Sequence, residues 1–267
     1  MNRLLHVGSA VILALSPVVA QDRSAPGPSR VTPFPVGETL IYDVRFGLLT
    51  LGEGVMHVAG LDTVRGDSLL HVIFRLRGGG FFYRLDDRSD SWFDPTRLVS
   101  ARFIQDFHEG DRDRYTAYEI FADSGYYLES GVDSVRPTVA EPLDDAAFFY
   151  FVRTVDLEVG QRYEFQRYFR PDRNPVVLEV LRRETLNLPA GTFSTLVLRP
   201  TIRGRGILAE SQEPLMWITD DDRRLVVQLK SKFASIATIT MRLREITDVP
   251  PDDLPLRAPA PPDSPNK

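Results

Sequence analysis

The chain has 267 residues, of which 43% are hydrophobic and 26% charged, and it carries a formal net charge of −5 with no cysteine. That is enough for one domain of roughly 200 residues, or two small ones, with a sizeable core. An acidic balance without a basic run argues against nucleic acid or an anionic lipid surface as a partner, and the missing cysteines exclude a disulfide framework.

Residues 1–20, MNRLLHVGSAVILALSPVVA, place Arg3 before an apolar run from Leu4 to Leu15, followed by Pro17 and the small-residue pattern of Val18 and Ala20. This is the layout of a secretory signal peptide cut after Ala20. The apolar run is shorter than the roughly 20 residues that cross a bilayer, so no transmembrane span is expected after cleavage. No cysteine follows the signal, so lipid anchoring is not expected, and the mature protein is expected to be soluble and periplasmic or secreted. Residues 21–34, rich in Pro, Ser and Gly, read as a flexible lead-in.

From Pro35 to Thr247 the pattern is one block without a linker, and so a single domain, 35–247. Alternation at period two marks a strand over Thr39–Phe46 and a hairpin within GVMHVAGLDTVRGDSLLHVIFRL, from Gly54 to Leu76. A turn across Thr63–Asp67 puts Met56 and Val58 on the same face as Val72 and Phe74, which requires an even pairing sum such as Met56 with Phe74. His57 and His71 then share the opposite face. Further strand signals follow at Phe81–Phe93, Leu98–His108, Arg112–Phe121, Arg162–Phe169, Val176–Leu188, Ser194–Arg203, Leu208–Thr219, Arg223–Phe233 and Ser235–Ile246, separated by turn-forming stretches. The sequence therefore predicts an all-β fold: a single antiparallel meander of about ten to twelve strands, curled into a barrel, half-barrel or sandwich because so many strands do not lie flat.

One segment breaks the rhythm. LDDAAFFYFVRTVDLEVG offers Asp144 or Asp145 as an N-cap and predicts a short apolar helix near 145–154. Phe148, Phe149, Phe151 and Val152 surround its axis, so it must be buried nearly all round, against the curved sheet or inside it. Residues 248–267, acidic and Pro-rich, read as a disordered tail.

Chemistry is sparse. After the signal only His57, His71 and His108 remain, and no G-x-S-x-G elbow is present. His57 with His71, near Asp62 and Asp67, is the one arguable metal pair, and a polar outer face is the simpler reading. Asp86, Asp87, Asp90 and Asp94, and Asp220 to Asp222, could supply a carboxylate pair for glycoside hydrolysis, with Asp90 and Asp94 beside Trp92 as first candidates. Aspartates at strand ends are more often solvated turns, and the calcium-loop spacing with its central glycine is missing. Arg65-Gly66-Asp67 looks like an adhesion tripeptide but is more simply a hairpin tip. Gly78 to Gly80 lack the strand-then-helix setting of a phosphate loop. Pro189-Ala190-Gly191-Thr192 is a corner where one strand turns into the next. No catalytic residue, metal or cofactor is expected.

The stretches PFPVGETLIYDVRFGLLTLGEGVM, DAAFFYFVRTVDLEVGQRYEF, ETLNLPAGTFSTLVLRP and PLMWITDDDRRLVVQLKSK, in that order, resemble the exported bacterial family catalogued as domain of unknown function 3108. The likeness rests on Gly37-Glu38, Tyr42, Gly52, Gly54, Arg153, Gly160, Glu184, Pro189 to Phe193, Trp217 and Asp221. It implies an all-β envelope protein and brings no established activity and no catalytic residues.

The leading expectation is a non-enzymatic, soluble periplasmic protein that binds a lipid or other hydrophobic envelope ligand in its curved sheet. Phe148, Phe149, Phe151, Trp92 and Trp217 are the candidate ligand-binding side chains. That the helix simply completes the core is the plainer reading and the favoured one, since apolar helices are usually core. The alternatives are a glycan-acting enzyme using an Asp/Glu pair and a structural partner in an envelope complex, working through a sheet edge or the Pro-rich tail. Nothing in the sequence sets the oligomeric state.

Overall fold

The computed structural model describes residues 34–80, 83–203, 208, 213–233 and 237–261. The expected signal peptide, all of the lead-in before Phe34, and the last residues of the tail, 262–267, lie outside them.

The domain is one antiparallel sheet of fourteen strands with a single α-helix. The strands are β1 Thr39–Phe46, β2 Leu49–Val64, β3 Asp67–Gly80, β4 Tyr83–Asp94, β5 Val99–Glu109, β6 Arg112–Phe121, β7 Tyr126–Glu129 and β8 Arg136–Pro137. After the helix α1, Asp145–Thr154, come β9 Arg162–Phe165, β10 Val176–Leu188, β11 Gly191–Thr201, β12 Leu215–Thr219, β13 Val226–Phe233 and β14 Ala237–Thr247. β1 and β14 pair at the centre of the sheet, and the two halves of the chain meander outward to the edge strands β8 and β9. The strand count exceeds expectation because β7 and β8 are only four and two residues long, too short to show a periodic pattern.

The hairpin register follows the parity argument. Met56 pairs with Phe74 and Val58 with Val72, while a bulge after Val58 re-phases the rest of β2. β10 shows the same logic, with Val176, Leu178 and Val180 buried and their alternating neighbours half-exposed.

The sheet curves so far that its two edges nearly meet, yet it does not close. Across the seam between β8 and β9 run connecting segments rather than a ladder. Leu143 donates its amide to the Arg167 carbonyl at 2.6 Å, the Phe169 amide donates to the Leu143 carbonyl at 2.9 Å, and Thr138 Oγ1 donates to the Phe169 carbonyl at 2.7 Å. One large cluster fills the concave side, drawing on both halves of the sheet and on every turn of α1.

The convex side of β2 to β5 carries two smaller apolar clusters, around Val55 and Ile73 and around Val64, Leu69, Trp92 and Ile104. They are covered by chain that the sequence assigns to a disordered tail. Leu254 is buried against Val55 and Ile73, and Ala258 packs on the second cluster. The Pro255 carbonyl accepts from Arg88, and Asp253 pairs with Arg77. Proline-rich composition argues against helix and sheet but not against an extended strap laid on apolar strands, where each residue needs only one good contact.

Candidate functional site

The concave face is built around α1. Asp144 is the N-cap: its Oδ1 accepts from the amides of Ala146 and Ala147, both at 2.9 Å, and its Oδ2 from the Ser91 hydroxyl at 2.6 Å. Its own amide donates to Ser100 Oγ, so the helix start is bonded to both β4 and β5. Burial pushes the Asp144 carboxyl up to about 6, against the lowering effect of Ser91 and the helix amides. At the other end Arg153 reaches Glu38 and the Arg223 carbonyl. A helix apolar all round is thus fixed at both ends by buried polar bonds, the only anchorage its sides leave available.

The helix aromatics divide among neighbours. Phe149 packs on Phe74 of β3 at 5.7 Å between ring centroids, Tyr150 edges onto Phe34 at 5.1 Å, and Phe151 meets Phe165 of β9 edge-on at 4.9 Å. Phe148 and Phe151 face the seam. There Leu143, Phe148, Phe151, Phe165, Tyr168 and Val176 meet in an apolar crevice that is closed, with no room for a water molecule, and the largely buried Arg167 lies beside them. The Arg167 guanidinium lies 4.8 Å over the Phe151 ring and donates to the carbonyls of Leu98 at 2.6 Å and Glu141 at 3.0 Å. It therefore ties the β9 side of the seam to the β4–β5 turn. Sequence reasoning missed Arg167 and the seam, because the groups that form it lie at opposite ends of the strand order.

The candidate tryptophans do not join this group. Ser91 bonds to the helix cap, so its neighbour Trp92 points to the opposite face, where it stacks on His71 at 4.3 Å and donates to Asp62 at 3.0 Å. Trp217 is buried on the other half of the sheet, its indole N–H donating to Glu184 at 2.6 Å. Trp217 shares the large core cluster with Phe148, Phe149 and Phe151 but does not line the crevice, and Trp92 belongs to a separate convex cluster.

The polar residues of the convex side are buried and already engaged. His57 and His71 share that face as parity requires, but each has its own partner: Thr39 Oγ1 at 2.8 Å for His57 and Asp90 at 2.7 Å for His71. Burial, then the neighbouring His71, lowers the His57 pKa. Asp90 also takes two bonds from Arg88, at 2.6 and 2.8 Å. Burial works to raise the Asp90 carboxyl, and the bonds from Arg88 and His71 outweigh it and hold it below its ordinary range. Asp94, the proposed catalytic companion of Asp90, instead accepts from the amides of Thr96 and Arg97 in the β4–β5 turn. Asp90 is thus held in a buried ion-paired cluster, while Asp94 serves the turn. Among the described residues no group of three or more His, Cys, Asp and Glu could hold a metal ion. Asp87 stands apart: its Oδ1 is buried without a hydrogen-bond partner, and burial, then Glu109, pushes its carboxyl up to about 7.

The remaining motifs resolve into turns. Arg65 folds back onto the sheet, donating to the carbonyls of Ala101 and Ile120 and lying 4.4 Å over Phe121, so the tripeptide is an exposed hairpin tip whose arginine is held by the sheet. Asp221 accepts from Thr219 Oγ1 and from the amides of Arg223 and Arg224, closing the β12–β13 connection. Leu188 pairs with Gly191 around Pro189-Ala190, and the Ala190 amide donates to the Leu243 carbonyl, so this corner lies against β14.

A family model described as "Protein of unknown function (DUF3108)" matches residues 41–244. Among solved structures the chain is similar to the β-barrel-like protein of domain of unknown function DUF1849 from Brucella abortus, with a TM-score of 0.50, 8% identity, and 79% of this chain and 96% of that chain covered. That likeness concerns the fold alone. A candidate lipoprotein from Parabacteroides distasonis aligns with a TM-score of 0.34 at 11% identity over 81% of this chain and 99% of that one, too low to support an argument. No curated protein matches the chain.

Proposed function

The chain belongs to the DUF3108 family, whose function is unknown, and from that premise we propose that it is a non-enzymatic protein of the bacterial envelope that takes up one hydrophobic chain, such as a lipid acyl chain, at the seam of its curved sheet. The observation that carries this reading is the closed apolar crevice between α1 and β9 to β10, which a bound chain would have to open, with Arg167 beside it. An acyl chain entering there would meet Phe148, Phe151 and Phe165 first and open the crevice by shifting α1, and an acidic headgroup would have to displace the Glu141 carboxylate, 3.7 Å from Arg167, to use that cation. Phe149 packs on β3 beyond the crevice and would follow the helix. Trp92 and Trp217 have no part in it. The N-terminal sequence, with its signal-peptide layout, supports the envelope location.

The test is mass spectrometry of a solvent extract of protein purified after export, joined to amide exchange with and without added palmitate. A co-purifying lipid, and exchange over Asp145–Thr154 that is faster than over β10 and slows with palmitate, are the expected results. An empty extract with α1 protected as strongly as β10, unmoved by palmitate, would leave the helix as plain core and end the carrier reading.

A further inference from the structure

The β1–β2 hairpin ends in Phe46-Gly47-Leu48-Leu49-Thr50-Leu51, where Phe46, Leu48, Leu49 and Leu51 are 39%, 88%, 65% and 40% exposed. No other stretch of six described residues carries four exposed large apolar side chains. Scattered apolar residues on a surface need no explanation, but a contiguous set at a protruding tip does.

The tip is held rather than loose. Gly47 takes a left-handed φ of +61°, its amide donates to the Thr238 carbonyl, and Arg45 Nη2 donates to the Leu48 carbonyl at 2.9 Å. The side chains are displayed by a built turn.

The sheet register gathers cations at the base of this tip although none are clustered in sequence near it. Arg45 pairs with Thr240, and Thr240 with Lys230, so Arg45 and Lys230 stand in one row across β1, β14 and β13. Lys232 lies two residues on, paired with Thr238, whose carbonyl takes the Gly47 amide. Among the described residues the acid paired with this group is Glu213, ion-paired to Lys232 at 2.5 Å. An acidic chain, net −5, thus carries a local basic stripe beside its most exposed apolar residues.

We propose that the β1–β2 hairpin is a membrane-surface contact. It seats Phe46, Leu48, Leu49 and Leu51 at the headgroup–acyl boundary of an anionic bilayer, with Arg45, Lys230 and Lys232 against the lipid phosphates. Amphipathic helices at membrane interfaces bury their apolar face about 5–10 Å deep, the layer in which this turn would seat, and each nearby cation adds attraction to anionic lipid. A second copy is the less favoured occupant, because a two-fold pairing of tips would bring the cationic stripes together. Among the described residues no helix is long and apolar enough to cross a membrane; the contact proposed is peripheral and reversible. This inference stands independently of any cargo at the seam.

The test is sedimentation of protein purified after export with vesicles of phosphatidylethanolamine and phosphatidylglycerol, and with phosphatidylcholine vesicles as the neutral control. The expected result is binding to the anionic vesicles that weakens with salt and falls about tenfold in Leu48→Asp/Leu49→Asp and several-fold in Lys230→Ala/Lys232→Ala. Leu49→Trp should show a blue-shifted emission on binding. The milder Leu48→Ser/Leu49→Ser repeats the test should the aspartates disturb folding, judged by the thermal midpoint. Absent binding at low salt, equal binding by the aspartate and serine variants, or light scattering that shows a dimer dissolved by these substitutions would each overturn the proposal, the last by making the tip an interface between copies.

Discussion

Arg153 near the end of α1 and Glu38 just before β1, 115 residues apart in sequence, form a bidentate ion pair at 2.6 and 3.2 Å with side chains 2% and 3% exposed. The guanidinium also sits against the rings of Phe34, at 5.0 Å, and Tyr150, at 5.6 Å, and donates to the Arg223 carbonyl. A charge so buried is tolerable only while its partner stays. Glu38→Gln and Arg153→Met should each lower unfolding stability by about 3–5 kcal/mol, read from urea titrations. The apolar double variant Glu38→Leu/Arg153→Met should lose less than either single one, since it strands no charge. Single variants with wild-type midpoints would show that the pair contributes nothing.

Asp144 gives a pH signature. Its carboxyl is raised to about 6 in the folded protein, mainly by burial, from an ordinary 3.8. The folded state therefore holds the proton more tightly than the unfolded chain. The associated stability is fully present below about pH 4 and is lost as pH rises through about 6. Asp87 and Asp145, also raised, are present in wild type and variant alike, so the difference between the two profiles reports mainly Asp144. Between pH 7 and pH 4 the wild type should gain about 2–3 kcal/mol relative to Asp144→Asn. Parallel pH profiles for the two proteins would contradict the assignment.

The C-terminal strap should be a stability element. Ending the chain at Asp248 removes Leu254 from its seat against Val55 and Ile73, and strips Asp253 and Pro255 from Arg77 and Arg88. The expected loss is about 2–4 kcal/mol, one buried leucine plus exposed apolar strand surface. The measurement is the thermal midpoint, and an unchanged midpoint would mean that the strap rests on the sheet without stabilising it.

Two glycines answer to different constraints and should be separable. Gly191 has φ +138° with room for a Cβ, so Gly191→Val should cost about 1–3 kcal/mol by backbone strain alone. At Gly52 a Cβ would fall 2.2 Å from the Arg77 carbonyl oxygen of the neighbouring strand, so even Gly52→Ala should cost about 3 kcal/mol. Equal tolerance of alanine at both positions would refute the close approach of β2 to β3.

Several residues on which the family likeness rests have structural work to do. Glu38 and Arg153 pair with each other, and the Tyr42 hydroxyl donates to the Val226 carbonyl at 2.6 Å. Glu184 accepts from Trp217, Asp221 closes a turn, and a Cβ on Gly54 would strike Met241. The sequence motif thus describes a way of building the sheet and its plug. The seam crevice and the hairpin tip lie mostly on other residues.

What is local was legible in the sequence. Alternation set the strands and the Met56–Phe74 register, because side chains on a strand have a period of two and a one-residue slip would expose the core. Asp144, its amide-bonding side chain and the apolar run after it set α1 at 145–154. Tertiary structure alone decided the rest. Curvature brings 138–144 to 166–169 across the seam, gathers Arg45, Lys230 and Lys232 from strands far apart in the chain, separates Trp92 from the helix aromatics, and turns a proline-rich tail into a cover for the convex apolar clusters. None of these has a sequence period, because each depends on the accumulated twist of many strands and on which apolar surface is left uncovered once the sheet has bent.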